Sequence, residues 1–301
     1  MAKKFDRIKE MIGVITPQKV KNIEILDQSM RDDSKVQLLY DAILNNEINS
    51  EEEAVLLLYG DTDSKDAYYK VQQRLYDRML NSFYFVDPKK AGFSDRQLAY
   101  YDAYRLWSLA RVVRERGAHN TALELFEKSL KYSLDYDFNE LVVVNCLELF
   151  DLYTIRFADK KKYEWARQTY NERYPIFAAE ARAQELFYII ISGKINSKID
   201  ITLTDEWKHV DKYISEIENY RKQTGSLRFL YYGYMSLIEY YKGKRDYNKV
   251  ISLGNEVIDK YSNFGYDTSF IIANFAYEIL IAAVQLGDYE LGEKAFAERV
   301  V

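Results

Sequence analysis

Arg111 and Arg114 lie three residues apart in a stretch with helical spacing. Two guanidinium groups so placed share one face and can grip a carboxylate or a phosphate together. With Arg105 and Arg116 they make the notable basic helix of the chain. Other reactive residue types are sparse. His119 and His209 are the two histidines and Cys146 the single cysteine, all far apart in sequence, so neither a zinc set nor a cysteine–histidine nucleophile follows from spacing. Cys146 sits in an apolar helix between Val144 and Leu147 and reads as core; His209, two residues after Trp207, faces another side of its helix and reads as surface. Asp61-Thr62-Asp63-Ser64-Lys65-Asp66 begins like a calcium loop. Asp66 stands where such a loop requires Gly, however, and Gln72 where it requires Glu, so Asp63 or Ser64 capping the next helix explains the residues better. No Gly-rich phosphate loop, nucleophile elbow or His-Glu-x-x-His helix is present. The expectation is a non-enzymatic chain with no metal and no cofactor.

The elements that position these residues are read as helices. Across 301 residues there are 12 Gly and 3 Pro, with 48% hydrophobic and 30% charged residues, which suits a packed all-α chain. A net charge of −5 argues against a nucleic-acid or anionic-membrane surface. No run of about 20 apolar residues is seen and the start of the chain lacks the apolar segment of a secretion signal. With one cysteine and no disulfide, a cytoplasmic location is expected. Residues 1–16, charged and interrupted by Gly13, are expected to fray. Thr16-Pro17 reads as a cap and first helical position for a helix to Met30. Another begins near Ser34 with Val36, Leu39, Tyr40 and Ile43 on one face. Ser50 and Glu53 form a capping box for a helix ending near Gly60. Residues 64–85 place Tyr68, Val71, Leu75, Met79 and Leu80 at helical spacing. Asp87-Pro88 and Gly92 then punctuate the chain, dividing an N-terminal helical region (1–90) from an array (91–301).

Within the array, His119, Tyr163, Trp207, Tyr247 and Tyr289 recur at intervals of 44, 44, 40 and 42 residues. Such a period, about 42, marks stacked helical repeats. Unit one, opened by the Ser94/Gln97 capping box, supplies Leu106, Leu109, Ala110, Val113, Gly117, His119, Ala122, Phe126 and Ser129. Unit four supplies Tyr234, Leu237, Ile238, Tyr241, Asp246-Tyr247, Val250, Gly254 and Val257. Unit five supplies Ala276, Ile279, Leu280, Ala283, Gly287-Asp288-Tyr289, Gly292 and Phe296. On these residues the array resembles the tetratricopeptide repeat. Unit two departs from it with Lys161-Lys162-Tyr163 at the turn, and unit three carries an insertion near Gly193–Thr204 before Trp207, Val210, Ile214 and Ile217. The period exceeds the usual ~34 residues of that family.

The resemblance implies a right-handed α-solenoid of antiparallel helix pairs whose first helices form a concave face. It places there Tyr104, Trp107, Arg111 and Arg114 from unit one and Glu148 and Asp151 from unit two. Tyr232, Met235 and Glu239 come from unit four, Asn274 and Tyr277 from unit five. Its function would be that of an adaptor or scaffold holding a peptide or protein partner, alone or as a subunit of a larger complex. The alternatives are a nucleic-acid-binding repeat using the Arg111/Arg114 face and a sensor responsive to a ligand or peptide. Acidic Glu148 and Asp151 favour a protein partner over a phosphate backbone. Leu286, Leu291 and Phe296 suggest an uncovered apolar edge through which the C-terminal helix would self-associate.

Overall fold

A computed structural model describes residues 4–15, 34–83, 94–196 and 206–300. Among them the chain is 84% helical, with no strand. It divides into two compact units, Met1–Phe93 and Ser94–Val301.

The first unit holds α1 (Lys4–Ile15), α2 (Ser34–Leu44), α3 (Glu51–Tyr59) and α4 (Lys65–Phe83). Residues 4–15, expected to fray, are helical because Phe5, Ile8 and Ile12 recur at helical spacing and are buried against α2 and α4. Val36, Leu39 and Ile43 supply the buried face of α2, and Tyr68, Val71, Leu75 and Met79 that of α4; Leu80 is exposed instead. Ser50 accepts from the Glu53 N–H at 3.2 Å, while the Glu53 carboxylate reaches back to the Asn49 N–H at 2.7 Å. Gly60 closes α3 with a φ of 75°. Asp61 itself, rather than Asp63 or Ser64, accepts from the backbone N–H groups of Asp63 and Ser64. The expected helix from Pro17 to Met30 and the punctuation at Asp87-Pro88 and Gly92 lie outside the described residues.

The second unit comprises α5 (Asp95–Glu115), α6 (His119–Asp135), α7 (Asn139–Asp151), α8 (Lys160–Asn196), α9 (Val210–Arg221), α10 (Leu227–Gly243), α11 (Tyr247–Tyr261), α12 (Ser269–Leu286) and α13 (Tyr289–Val300). Most helices pack on the next in sequence, which is compatible with a helical repeat. Ser94 and Gln97 form the full capping box of α5. Gly117 and Gly287 take positive φ after α5 and α12, and Asp246 and Asp288 cap α11 and α13. Asp159 does the same for α8 in the unit whose turn departs from the family pattern, accepting from the Lys162 N–H at 3.0 Å.

Small residues sit where helices meet. Ala122 and Ala166 are fully buried; a Cβ on Gly254 would stand 2.6 Å from Ile279, and one on Gly292 3.0 Å from Leu280. Of the periodic anchors, Tyr163 packs edge-on against Phe150, Trp207 stacks on Tyr240 at 5.9 Å, and Tyr247 packs against the larger core. Tyr289 differs: it is 67% exposed, because α13 is the last described helix and nothing among the described residues follows to cover its ring. Leu109 is also exposed, leaving Ala110 as the core residue of that turn. The Phe296 side chain lies outside the described residues.

Separate helix pairs would place a turn between the second helix of unit two and the first of unit three. Instead α8 runs unbroken for 37 residues with Pro175 inside it. Its first half packs on α7, burying Ala166; its second half packs on α10, burying Ala179, Ala183, Leu186 and Ile190. Proline removes the hydrogen bond to the Asn171 carbonyl; Pro175 is exposed, where water can take that bond. Among the described residues α12 is the one helix long and apolar enough to cross a membrane. Its buried Phe275, Ala276, Ile279, Ala282 and Ala283, and the pairing of Glu278 with Lys242, are equally what a core helix requires.

Candidate functional site

The proposed inner-face residues fall into three places. In the first, Arg114 is hydrogen-bonded to Glu148 and, at 2.7 Å, to Asp151, and Arg111 lies 3.4 Å from Glu148. The Arg111 guanidinium also sits 5.2 Å from the centre of the Trp107 ring. The five residues are thus brought together between α5 and α7, but the two cations are paired with the two acids, Arg111 while still exposed to solvent. In the second, Glu239 is buried, and Lys242 bridges it to Glu278 at 2.8 Å on each side. The acid expected on an open face is here a structural partner, because α10 and α12 close over it. Met235 is half-buried against the same core, and Tyr277 is exposed.

The third place is a cavity of about 350 Å³ lined by Tyr232 and Asn274, with Tyr104 adjoining through the Tyr100 ring at 4.7 Å. Its other walls are Arg96 and Tyr100 from α5, Asp137, Phe138 and Glu140 where α7 starts, Leu227, Arg228 and Tyr231 from α10, and Phe270 and Ile271 from α12. The positions share a pattern. Arg96, Glu140, Arg228 and Phe270 are each the second residue of their helix, so the first turns of four helices open onto one space. Helix first turns carry unsatisfied N–H groups and a partial positive charge. α7 begins at Phe138 with no side-chain cap, whereas Ser94 and Ser226 cap α5 and α10.

The charged groups of the wall are unequally matched. Asp137 is paired with Arg173 at 2.7 Å, and Glu140 with Arg228 at 3.6 Å. Arg228 also donates to Gln184 at 2.6 Å, which in turn donates to the Tyr232 hydroxyl at 3.3 Å. Arg96 has no acidic partner among the described residues. It lies between the rings of Phe138 and Tyr266, 4.8 and 5.4 Å from their centres, with a buried Nε that finds no hydrogen bond. Behind the wall, Asn139 donates to the carboxylate of Glu180 at 2.8 Å. Glu180 is 1% exposed, and burial pushes its pKa up to about 7, against the pull of hydrogen bonds from Ser226 and Asn139. Burial likewise raises the Tyr104 hydroxyl, and raises the Cys146 thiol to about 12, which leaves it protonated and unreactive.

Arg96, Asp137, Phe138 and Arg228 were not singled out in the sequence. The repeat pattern marks positions along the first helices but not their opening residues. The one available signal was that Arg228, Tyr231 and Tyr232 share a helix face at spacings of three and four. Among the described residues no group of His, Cys, Asp and Glu could hold a metal ion. His119 opens α6, half-buried, and His209 is exposed. Compared with known proteins, the chain matches no family model, no curated protein and no solved structure.

Proposed function

We propose that the second unit is a tetratricopeptide-like repeat array, a right-handed solenoid of helix pairs, and that it acts without catalysis as a cytoplasmic adaptor holding a peptide or protein segment in the cavity. The observation that carries this reading is the wall itself: Tyr100, Tyr231, Tyr232 and Phe270 stand among charges of both signs, with Phe270 82% exposed. Rigid aromatic rings fixed on helices offer large contact area with little ordering cost, as binding hot spots do. Pairing of Arg111 and Arg114 with Glu148 and Asp151 takes support away from nucleic acid as the partner, because those guanidiniums already meet carboxylates.

Selection of a phage-displayed random peptide library tests the reading. Clones retained by the wild-type chain and lost on Tyr232→Ala/Phe270→Ala are expected; clones held equally by both would place the binding surface elsewhere.

A second reading has its own support. The cavity draws walls from α5 and α7, before α8, and from α10 and α12, after it. An occupant touching both sets would hold the two halves of α8, which meet at Pro175, in one arrangement, making the adaptor a sensor. A changed radius of gyration on adding a selected peptide, seen by small-angle scattering, is its signature. Exposed Val284, Leu286 and Tyr289 also support self-association through the α12–α13 end.

A further inference from the structure

The cavity wall holds an uneven charge. Asp137 and Glu140 each have an arginine partner, and Arg228 is taken up by Glu140 and Gln184, so Arg96 is the one lining charge left uncompensated among the described residues. A half-buried guanidinium without a counter-charge is costly, since desolvation weakens its hydration and contact with aromatic rings offsets only part of that. The rings of Phe138 and Tyr266, 4.8 and 5.4 Å away, help to fix its position. Its edge donors remain the groups able to meet a ligand, and the uncapped first turn of α7 opens onto the same space.

We propose that Arg96 receives a single carboxylate borne on an apolar or aromatic body. Either a peptide C-terminus or a free organic acid would present it; the first source rests on the peptide reading above. The fork of a guanidinium matches a planar carboxylate through two parallel hydrogen bonds. Charge balance selects the monoanion. A phosphate dianion would bring two negative charges to a wall that offers one free positive group and already contains the carboxylates of Asp137 and Glu140. Phe270 and Ile271, lining the same cavity from α12, supply the apolar surface for the body that carries the carboxylate.

The test compares ligands before it compares variants. A random octapeptide pool is made with free C-terminal carboxylates and again as carboxamides, and each is passed over the immobilised full chain with mass-spectrometric readout. N-acetylphenylalanine and its amide are titrated in parallel by calorimetry. Charged hydrogen bonds are worth roughly 1.5–3 kcal/mol, so the carboxylate form should be favoured by roughly ten- to a hundredfold. Arg96→Gln should abolish that preference and Arg96→Lys retain part of it. The ligand comparison decides the matter even if Arg96→Gln fails to fold. Preference within the peptide pool supports the proposal with a peptide source. Preference for N-acetylphenylalanine over its amide, with neither pool retained, also supports it but removes the peptide reading. Equal retention of both pools overturns the proposal and leaves the peptide reading standing. No binding of any probe overturns both.

Discussion

At the residue scale, two glycines mark where one added methyl group should be felt most. A Cβ at Gly243 would stand 2.5 Å from the Trp207 ring, and at Gly254 2.6 Å from Ile279. Neither distance is compatible with an unmoved neighbour, and overpacking of this kind costs roughly 1–3 kcal/mol. Chemical denaturation of Gly254→Ala should show that loss, and Ile279→Val in the same chain should recover part of it by withdrawing a methylene. Unchanged stability in Gly254→Ala would mean that α11 and α12 are not in close contact there. Glu180 gives a prediction of opposite character. Its carboxyl holds its proton up to about pH 7 when folded, against an ordinary value near 4.5. The folded chain therefore binds more protons than the unfolded one between those values, so stability is complete below about 4.5 and lost as pH rises to 7. The loss is of order 3 kcal/mol. The melting temperature should fall from pH 5 to pH 8, and Glu180→Gln, with no proton to lose, should flatten that slope.

At the scale of elements, what the sequence could convey depended on whether a signal was local. Caps and periodic core faces are local. Ser94 with Gln97, Asp246, Asp288, and the buried sets of α2 and α4 are visible from neighbours within a turn or two. The continuity of α8 was hidden, since helix pairs imply a turn between units two and three and proline disfavours a helix interior; here tertiary packing on both sides, against α7 and α10, outweighs the lost hydrogen bond. The cavity was hidden for another reason. Its charged residues belong to turns and opening positions far apart in sequence, and only folding shows that Arg96 lacks the partner that Arg228 finds in Glu140. α8 carries a prediction of its own. Pro175→Ala restores a backbone donor in mid-helix, where proline costs up to about 3 kcal/mol relative to alanine. Thermal unfolding should move upward, and a lower midpoint would show that α8 depends on proline at this position.

At the scale of the whole molecule, the exposed ring of Tyr289 and the side chains of Val284 and Leu286 form an apolar end to the α12–α13 pair. Light scattering is expected to report a mass above 35.6 kDa at high micromolar concentration, returning to the monomer value in Leu286→Glu/Tyr289→Glu. A wild-type chain that stays monomeric would remove self-association. At 1.5 Å per residue the 37 residues of α8 extend about 55 Å. Stacked units that touch only their neighbours can melt one at a time from either end. A single rod threaded through two sets of neighbours removes the joint at which such melting would stop. The amides of α7 and α10 should then exchange with solvent at one common opening free energy, joining α7, α8 and α10 into a single cooperative block.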